Sequence, residues 1–286
     1  MNNSLQNMDA TIIKSIVKDL RKKIIPSKFE KAQQPEQNTI QIGLRTLKGL
    51  IWLEICWEAD LPRFVEIDSP KRNGDQSTLA QQITYGLKGL TLSNIKQEGY
   101  ERIINLIFAD NPEGETKKEI VLEIMGRHSN IFLLDPKKKI ITLGKQIKNS
   151  SSRFRPLTTG DLYISPPPLK GETPSKHESF QDWKKNICLL PIPLKKALIE
   201  SYQGISPSLA LQLIDDNYNK ASNILKLNVS DIDIDTWQKI YKRWLKWIES
   251  IDSQEANLYL TGPTDYRVWT FKPEKESEQN LSLSIG

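Results

Sequence analysis

Residues 121–135, VLEIMGRHSNIFLLD, contain the pattern that decides the fold of the first half of this chain. Their first part alternates as a strand does, with Leu122 and Ile124 on one side and Glu123 on the other. A second apolar run covers residues 131–134. We therefore predict two antiparallel strands joined as a hairpin.

The tip of this predicted hairpin is polar and consists of Gly126, Arg127, His128, Ser129 and Asn130. Gly, Ser and Asn are ordinary turn residues, so a purely structural turn explains much of this composition. The tip also carries a cation, an imidazole, a hydroxyl and an amide side by side. The residues alone leave both interpretations open.

The composition is that of a globular protein, with 38% hydrophobic and 26% charged residues over a length of 286. This length accommodates two domains. The longest apolar runs, such as residues 103–108, are too short to cross a bilayer. No charged-then-apolar N-terminal signal precedes the first predicted helix, so we expect a cytoplasmic protein that does not bind membranes.

Cysteine and histidine usage argues against metal chemistry. Cys56 and Cys188 lie far apart and form no CxxC motif, and His128 and His177 do not cluster with them. We therefore predict no metal site, no other cofactor and no structural disulfide.

The net charge of +5 is modest, but its distribution is uneven. Residues 136–160 contain no acid and seven cations, namely Lys137, Lys138, Lys139, Lys145, Lys148, Arg153 and Arg155. Such a run is often only a solvated face. Because it follows the polar hairpin, and because a segment of one charge sign is the usual footprint of a phosphate backbone, we expect a nucleic-acid partner.

Three segments together resemble one known family. EIMGRHSNIFLLD (123–135), QEGYERII (97–104) and SSRFRPLTTGDLYISPPP (151–168) are similar to the N-terminal region of the NFACT family. The bacterial members of this family include the RqcH ribosome quality-control factors and the fibronectin-binding protein A homologues. The resemblance covers nearly all of residues 8–215.

The resemblance implies an α+β fold. Its first part would be a β-rich domain like the N-terminal domain of formamidopyrimidine-DNA glycosylases, with flanking helices. A small helix-hairpin-helix domain would follow. We expect a first domain over residues 1–170, a linker over 171–178, a helical domain over 179–254, and a strand-like segment with a frayed tail over 255–286. From the resemblance we expect no counterpart of the family's long coiled coil or second conserved domain in this sequence.

The resemblance also implies a function. The chain would be a tRNA- and rRNA-binding module of a quality-control factor that recruits tRNA to stalled large ribosomal subunits for C-terminal alanine tailing. Its partners would be tRNA and the large ribosomal subunit. The ribosome performs peptidyl transfer in that process, so we predict no enzymatic activity for this chain.

The predicted RNA-binding residues follow from the same resemblance together with the basic segment. They are Asp9, Glu101, Arg102, Arg127, His128, Ser129, Asn130, Lys145, Arg153 and Arg155. For Asp9, capping of a helix over residues 9–23 is an alternative role. Glu101 replaces the family's aspartate, and a local charge pair with Arg102 on a strand is the structural alternative. Arg153 and Arg155 flank Phe154, an arrangement that suits base stacking beside phosphate contacts.

In the second half, the pattern predicts helices over residues 194–202 and 208–214 around a turn at Gly204. Pro193 is expected in the first helical turn. A further helix capped by Asp235 carries Trp237, Trp244 and Trp247 at core spacing.

Two other functions stay open as alternatives. An adhesin that binds fibronectin is one, although the chain shows no export signal. A DNA-glycosylase-like enzyme is the other, but residue 2 is asparagine where that class has a proline nucleophile. Two distant cysteines also cannot form the four-cysteine zinc finger of that class.

Overall fold

A computed structural model describes residues 8–71, 77–148, 155–253, 257–260 and 266–271. The chain forms two compact units. The sheet unit contains residues 16–167, and the helical unit contains residues 8–15 together with the described residues from Pro168 onward. The division falls within the first helix, α1 (Ala10–Ile24), after Ser15.

The fold is α+β and includes a large antiparallel sheet with flanking helices. The strands are β1 (Ser27–Glu36), β2 (Thr39–Thr46), β3 (Gly49–Cys56), β4 (Arg63–Ile67), β5 (Thr91–Gln97), β6 (Ile103–Ala109), β7 (Thr116–Glu123), β8 (Asn130–Leu134) and β9 (Ile140–Leu143). They form a nine-stranded sheet in the order β4-β3-β2-β1-β5-β6-β7-β8-β9. Helix α2 (Thr78–Leu87) packs against β1 and β9. The side chain of Ser77 caps α2 by accepting a bond from the backbone N–H of Ala80.

Strand β1 was missed by the sequence patterns, although it joins the two halves of the sheet. Its first residues alternate between exposed Lys28, buried Phe29 and exposed Glu30. With so few apolar residues, the sequence here resembles a polar loop. Pro35 lies within the strand, at a register shift between Gln33 and Glu36. Proline is tolerated at such an irregularity because the ladder there does not need its missing N–H.

The predicted hairpin is confirmed, since β7 pairs antiparallel with β8 and Glu123 stands opposite Asn130. The face of the strand that carries Glu123 is buried as well. Val121, Phe132 and Leu134 are buried in a cluster with Leu157. The chain after β9 returns over this face, with antiparallel bridges between residues 147 and 157 and between 139 and 162. Glu123 therefore lies beneath a covering segment and not in solvent.

The sheet curves strongly enough for the residues after β3 and β9 to meet. Lys145 Nζ lies 3.3 Å from the carbonyl oxygen of Trp57. A Cβ atom on Gly144 would come within 2.6 Å of the buried Trp57 ring. Glycine at position 144 thus permits this close approach.

The helical unit contains α3 (Phe180–Ile187), α4 (Leu194–Ser201), α5 (Pro207–Ile214), α6 (Tyr218–Lys226) and α7 (Ile234–Asp252). Two short strands follow, β10 (Tyr259–Leu260) and β11 (Tyr266–Arg267). The prediction that Trp237, Trp244 and Trp247 form core is confirmed, because all three are fully buried. Helices α3 and α6 were not predicted.

One helix start in this unit was predicted one residue early, and another was predicted two residues late. Pro193 is the residue that precedes the first turn of α4. The cap of α7 is Asp233 and not Asp235, because Asp233 Oδ1 accepts a bond from the N–H of Thr236 at 2.8 Å. Both aspartates have the side chain that capping needs, so the sequence alone did not distinguish them.

Residues 171–178, expected as a linker, are bonded to the helical unit. The N–H of Glu172 donates to the carbonyl of Ser201 at 2.8 Å, and Gln203 donates back to Glu172 at 2.9 Å. Tyr202 also donates its hydroxyl to Glu178 Oε1 at 2.7 Å. The segment is thus an integral part of this unit, because its backbone groups pair with the end of α4.

Candidate nucleic-acid interface

The connection between β7 and β8 is a single 3₁₀ turn at Gly126–His128. Gly126 has φ +57°, a left-handed conformation that glycine adopts without strain. The N–H of Ser129 donates to the carbonyl of Gly126 at 2.8 Å and closes the turn. The turn divides the polar tip into an outward part and an inward part.

Ser129 and Asn130 form the inward part, and both are buried. Ser129 Oγ accepts a bond from the N–H of Met125 at 2.8 Å. The Asn130 side chain bonds both the N–H and the carbonyl of Lys145, each at 2.8 Å, and so ties β8 to the segment after β9. These bonds satisfy the side chains inside the protein, which is the structural role that the turn interpretation predicts.

Arg127 and His128 form the outward part, and both are exposed. Arg127 Nε donates a hydrogen bond to His128 Nε2 at 3.0 Å. In this arrangement the imidazole Nε2 is the acceptor. The remaining guanidinium nitrogens of Arg127 face solvent and are available to a ligand.

Glu101 and Arg102 lie just before β6 and not within a strand, so the expected alternation of an acid and a base across a strand does not apply. The N–H of Ile124 donates to the carbonyl of Arg102 at 2.9 Å. This bond holds Arg102 beside the turn that carries Arg127. The Arg102 side chain is exposed, and it forms no hydrogen bond or ion pair with another described residue.

The backbone of Glu101 is fixed by its neighbours. Its N–H donates to the carbonyl of Glu98 at 3.0 Å, and its own carbonyl accepts from Gln97 Nε2 at 2.7 Å. The structure thus holds the Glu101–Arg102 segment in a tight turn, because both backbone groups of Glu101 are paired.

Arg155 is bound within the protein. Its guanidinium forms a bidentate ion pair with Glu123, including a 2.9 Å bond from Nη1 to Oε2, and its Nε donates to the carbonyl of Ile164 at 2.6 Å. Tyr163 donates its hydroxyl to the same carboxylate at 2.7 Å. Burial, and then the negative charge of Glu123, raise the pKa of Tyr163 above its usual range. This hydroxyl therefore stays a proton donor to Glu123.

Two other cations of the basic segment also have internal partners. Lys138 pairs with Glu119, whose side chain is 7% exposed. Lys145 donates to the Trp57 carbonyl. Lys137, Lys139 and Lys148 are exposed, and Arg153 lies outside the described residues. The positive charge of residues 136–160 is thus partly neutralised by Glu119 and Glu123 of β7, which come earlier in the sequence.

Asp9 caps α1, as the structural alternative predicted. Its Oδ1 accepts from the N–H of Ile12 at 3.0 Å, and its Oδ2 accepts from the hydroxyl of Ser206 at 2.6 Å. Ser206 in turn caps α5 through the N–H of Leu209 at 3.0 Å. Asp9 is 6% exposed, and both of these contacts lie within the helical unit.

The sequence analysis did not single out Glu123, the buried carboxylate that binds both Arg155 and Tyr163. An acid within the apolar run of residues 120–124 was the available signal, since a buried charge requires a paired cation. In the described part of the chain, no three His, Cys, Asp or Glu side chains converge as a metal site would need. None of the described helices has the length and apolarity that a membrane crossing needs.

Comparison with known families identifies the chain. The family model described as NFACT N-terminal and middle domains matches residues 9–285. The chain belongs to the NFACT family. The resemblance noted in the three sequence segments is thereby confirmed over nearly the whole length.

Curated NFACT relatives carry the name Rqc2 homolog RqcH. The protein from Streptococcus pneumoniae serotype 2 is 26% identical over 172 residues, which are 59% of this chain and 31% of the relative. The protein from Bacillus subtilis is 23% identical over 220 residues, which are 73% of this chain and 37% of the relative. The chain therefore spans about a third of the length of these relatives.

Solved NFACT-like structures show the same fold. The N-terminal part of the fibronectin/fibrinogen-binding protein from Streptococcus suis has a TM-score of 0.72 at 22% identity, covering 98% of this chain and 97% of that one. The fibrinogen-binding protein from Staphylococcus aureus has a TM-score of 0.64 at 19% identity, covering 95% and 92%. At these identities the likeness establishes the fold alone.

Proposed function

We propose that this chain is the RNA-binding module of a ribosome-associated quality-control factor. In that role it recruits tRNA to stalled large ribosomal subunits for C-terminal alanine tailing in the cytoplasm, and it performs no catalysis itself. Membership in the NFACT family and the RqcH names of its curated relatives support this proposal.

The observation that carries the proposal is the bond between the N–H of Ile124 and the carbonyl of Arg102. It brings two exposed arginines, Arg102 and Arg127, to the same end of neighbouring strands β6 and β7. A planar guanidinium can bind phosphate bidentately or stack on a base. We therefore assign the tRNA contact to Arg102, Arg127 and His128, with Glu101 beside them.

We also propose that the α4–α5 hairpin is a helix-hairpin-helix element and that the sheet unit is related to the glycosylase N-terminal domain. Gly204 has φ +77° in the turn, as such a hairpin requires. The N-terminus of α5 already holds the carboxylate of Asp9 through Ser206. An RNA phosphate at that position would displace an internal anion, so the tRNA contact rests on the sheet unit.

Titration of fluorescently labelled tRNA into the full chain tests the proposal. Arg102→Ala should weaken tRNA binding at least about fivefold if the guanidinium contacts a base. Arg21→Ala, which removes an exposed arginine from α1, is the matched control and should change affinity less. Both variants should keep the wild-type melting temperature.

The alternative that the names of the solved structures raise is binding of fibronectin or fibrinogen. Immobilised fibronectin in a parallel binding assay separates the two functions. Saturable fibronectin binding without tRNA binding would favour the adhesin. Normal tRNA binding by Arg102→Ala would remove this residue from the proposed interface.

A further inference from the structure

An open groove of about 410 Å³ lies on the surface of the helical unit. Helices α4 and α6 form its walls. Pro193, Ile199 and Leu225 provide apolar lining, and Lys195 and Lys226 stand among them. We refer to this feature as the α4–α6 groove.

Exposed leucines lie in the chain segments next to Pro193 and Lys226, two residues that line the α4–α6 groove. Leu227, which is 44% exposed, follows the last residue of α6, and its carbonyl accepts from the N–H of Leu194 at 2.9 Å. Leu189 and Leu190 are 70% and 58% exposed. The next residue, Pro191, is held here because its carbonyl accepts from Asn228 Nδ2 at 2.9 Å. Large exposed apolar side chains beside an apolar groove are typical of an interaction site.

The charge at the rim of the groove is positive. Lys195 and Lys226 are exposed and form no ion pair with other described residues. Lys196 is partly offset by Glu200, whose carboxylate lies 3.7 Å from its ammonium group. An occupant with acidic residues around an apolar stripe would complement both the floor and the rim.

Other occupants fit this surface less well. The groove lining contains no aromatic ring or guanidinium on which a nucleic-acid base could stack. A second copy of the chain docking through the same groove would bring lysines against lysines, which is unfavourable. The length of α4, eight residues, matches about two turns of a helix laid along it.

We propose that the α4–α6 groove binds an acidic amphipathic helix of a partner protein. The apolar face of that helix lies on Pro193, Ile199 and Leu227, and its acidic flanks face Lys195 and Lys226. This site belongs to the helical unit and does not depend on the proposed tRNA contact of the sheet unit.

The test uses the full chain and a fluorescein-labelled synthetic peptide of about 18 residues, or five helical turns. In this peptide, leucines three or four positions apart form one face of the helix, and glutamates flank that face. A second peptide has the same composition with the leucines scattered. The first peptide should bind measurably in fluorescence anisotropy, and the scattered peptide should bind at least about tenfold more weakly because it presents no apolar stripe.

Charge reversal identifies the groove as the binding surface. Lys195→Glu with Lys226→Glu should weaken binding of the amphipathic peptide at least about tenfold. The matched control reverses Lys239 and Lys242, two exposed lysines of α7 outside the groove lining, and should leave the affinity within about twofold. Ile199→Ser tests the apolar floor and should also weaken binding.

Three results would overturn the proposal. One is equal binding of the two peptides or no binding at all. Another is an equal loss in both double variants, which would reflect net charge alone. The third is a selective loss of labelled-tRNA binding in the groove variant without peptide binding, which would make the groove an RNA surface.

Discussion

The carboxylate of Glu123 lies entirely out of solvent and receives both terminal guanidinium nitrogens of Arg155, a residue 32 positions further along the chain. This pair fastens the segment after β9 onto the sheet. Arg155, which was predicted to contact RNA, therefore has a partner inside the protein.

Replacement of Arg155 by alanine should lower the free energy of unfolding by about 3–5 kcal/mol, because it leaves the Glu123 charge buried without its cation. Urea unfolding followed by circular dichroism measures this loss. Replacing both partners, as Glu123→Leu with Arg155→Met, should recover part of it. An unchanged stability together with weaker tRNA binding would instead identify Arg155 as an RNA contact.

The exposed lysines should contribute to tRNA binding mainly through phosphates. Removal of Lys137 and Lys139 should lower the slope of log K against log salt by about 1.4 if each neutralises one phosphate of single-stranded RNA. Lys138→Ala is the matched comparison and should change the slope less, because Lys138 already pairs with Glu119. Equal effects of all three lysines would contradict this distinction.

Gly144→Ala should destabilise the sheet unit by about 1–3 kcal/mol, because a methyl group there would overlap the Trp57 ring. Thermal unfolding gives the magnitude. Gly43→Ala is the control, since a Cβ atom at that position lies 3.4 Å from the Trp52 ring. Equal melting temperatures for the two variants would show that the Trp57 contact is easily relaxed.

The helical unit should lose stability in acid through Asp216. Hydrogen bonding to Arg243 is the main cause that holds the pKa of Asp216 below its usual value. A carboxyl group with a lowered folded pKa stabilises the protein above its unfolded pKa of about 3.9, and this stabilisation disappears as pH falls through the folded value.

Asp216→Asn should therefore be less stable than the wild type at pH 6, and the difference should shrink as pH falls below about 4. Urea titrations at several pH values, followed by the fluorescence of the buried tryptophans, measure it. A difference that is independent of pH would assign the effect to packing and not to the ion pair.

Much of the fold was accessible from local patterns. The helix that begins after Asp9 and the hairpin around residue 126 were both predicted. These elements have regular apolar spacing and recognisable caps, which are properties of neighbouring residues. Strand β1 was missed because most of its side chains are polar, and its pairing with β2 and β5 decides its conformation.

The candidate interface shows the same division. The sequence determined that Arg102, Arg127 and His128 belong to conspicuous polar segments. The resemblance to NFACT proteins also followed from the sequence segments alone. Only the tertiary structure decided which polar groups face outward. Ser129 and Asn130 turn inward to pair with backbone groups, whereas Arg127 remains in solvent.

The cations of residues 136–160 form one run in the sequence, but their availability depends on acids that come earlier in the chain. Glu119 and Glu123 lie on β7. The turn between β8 and β9 brings Lys138 to Glu119, and the return of the chain after β9 brings Arg155 to Glu123. A linear pattern records which charges exist. Whether a charge meets solvent or a buried partner is fixed by long-range packing, because burial makes an unpaired carboxylate too costly to retain.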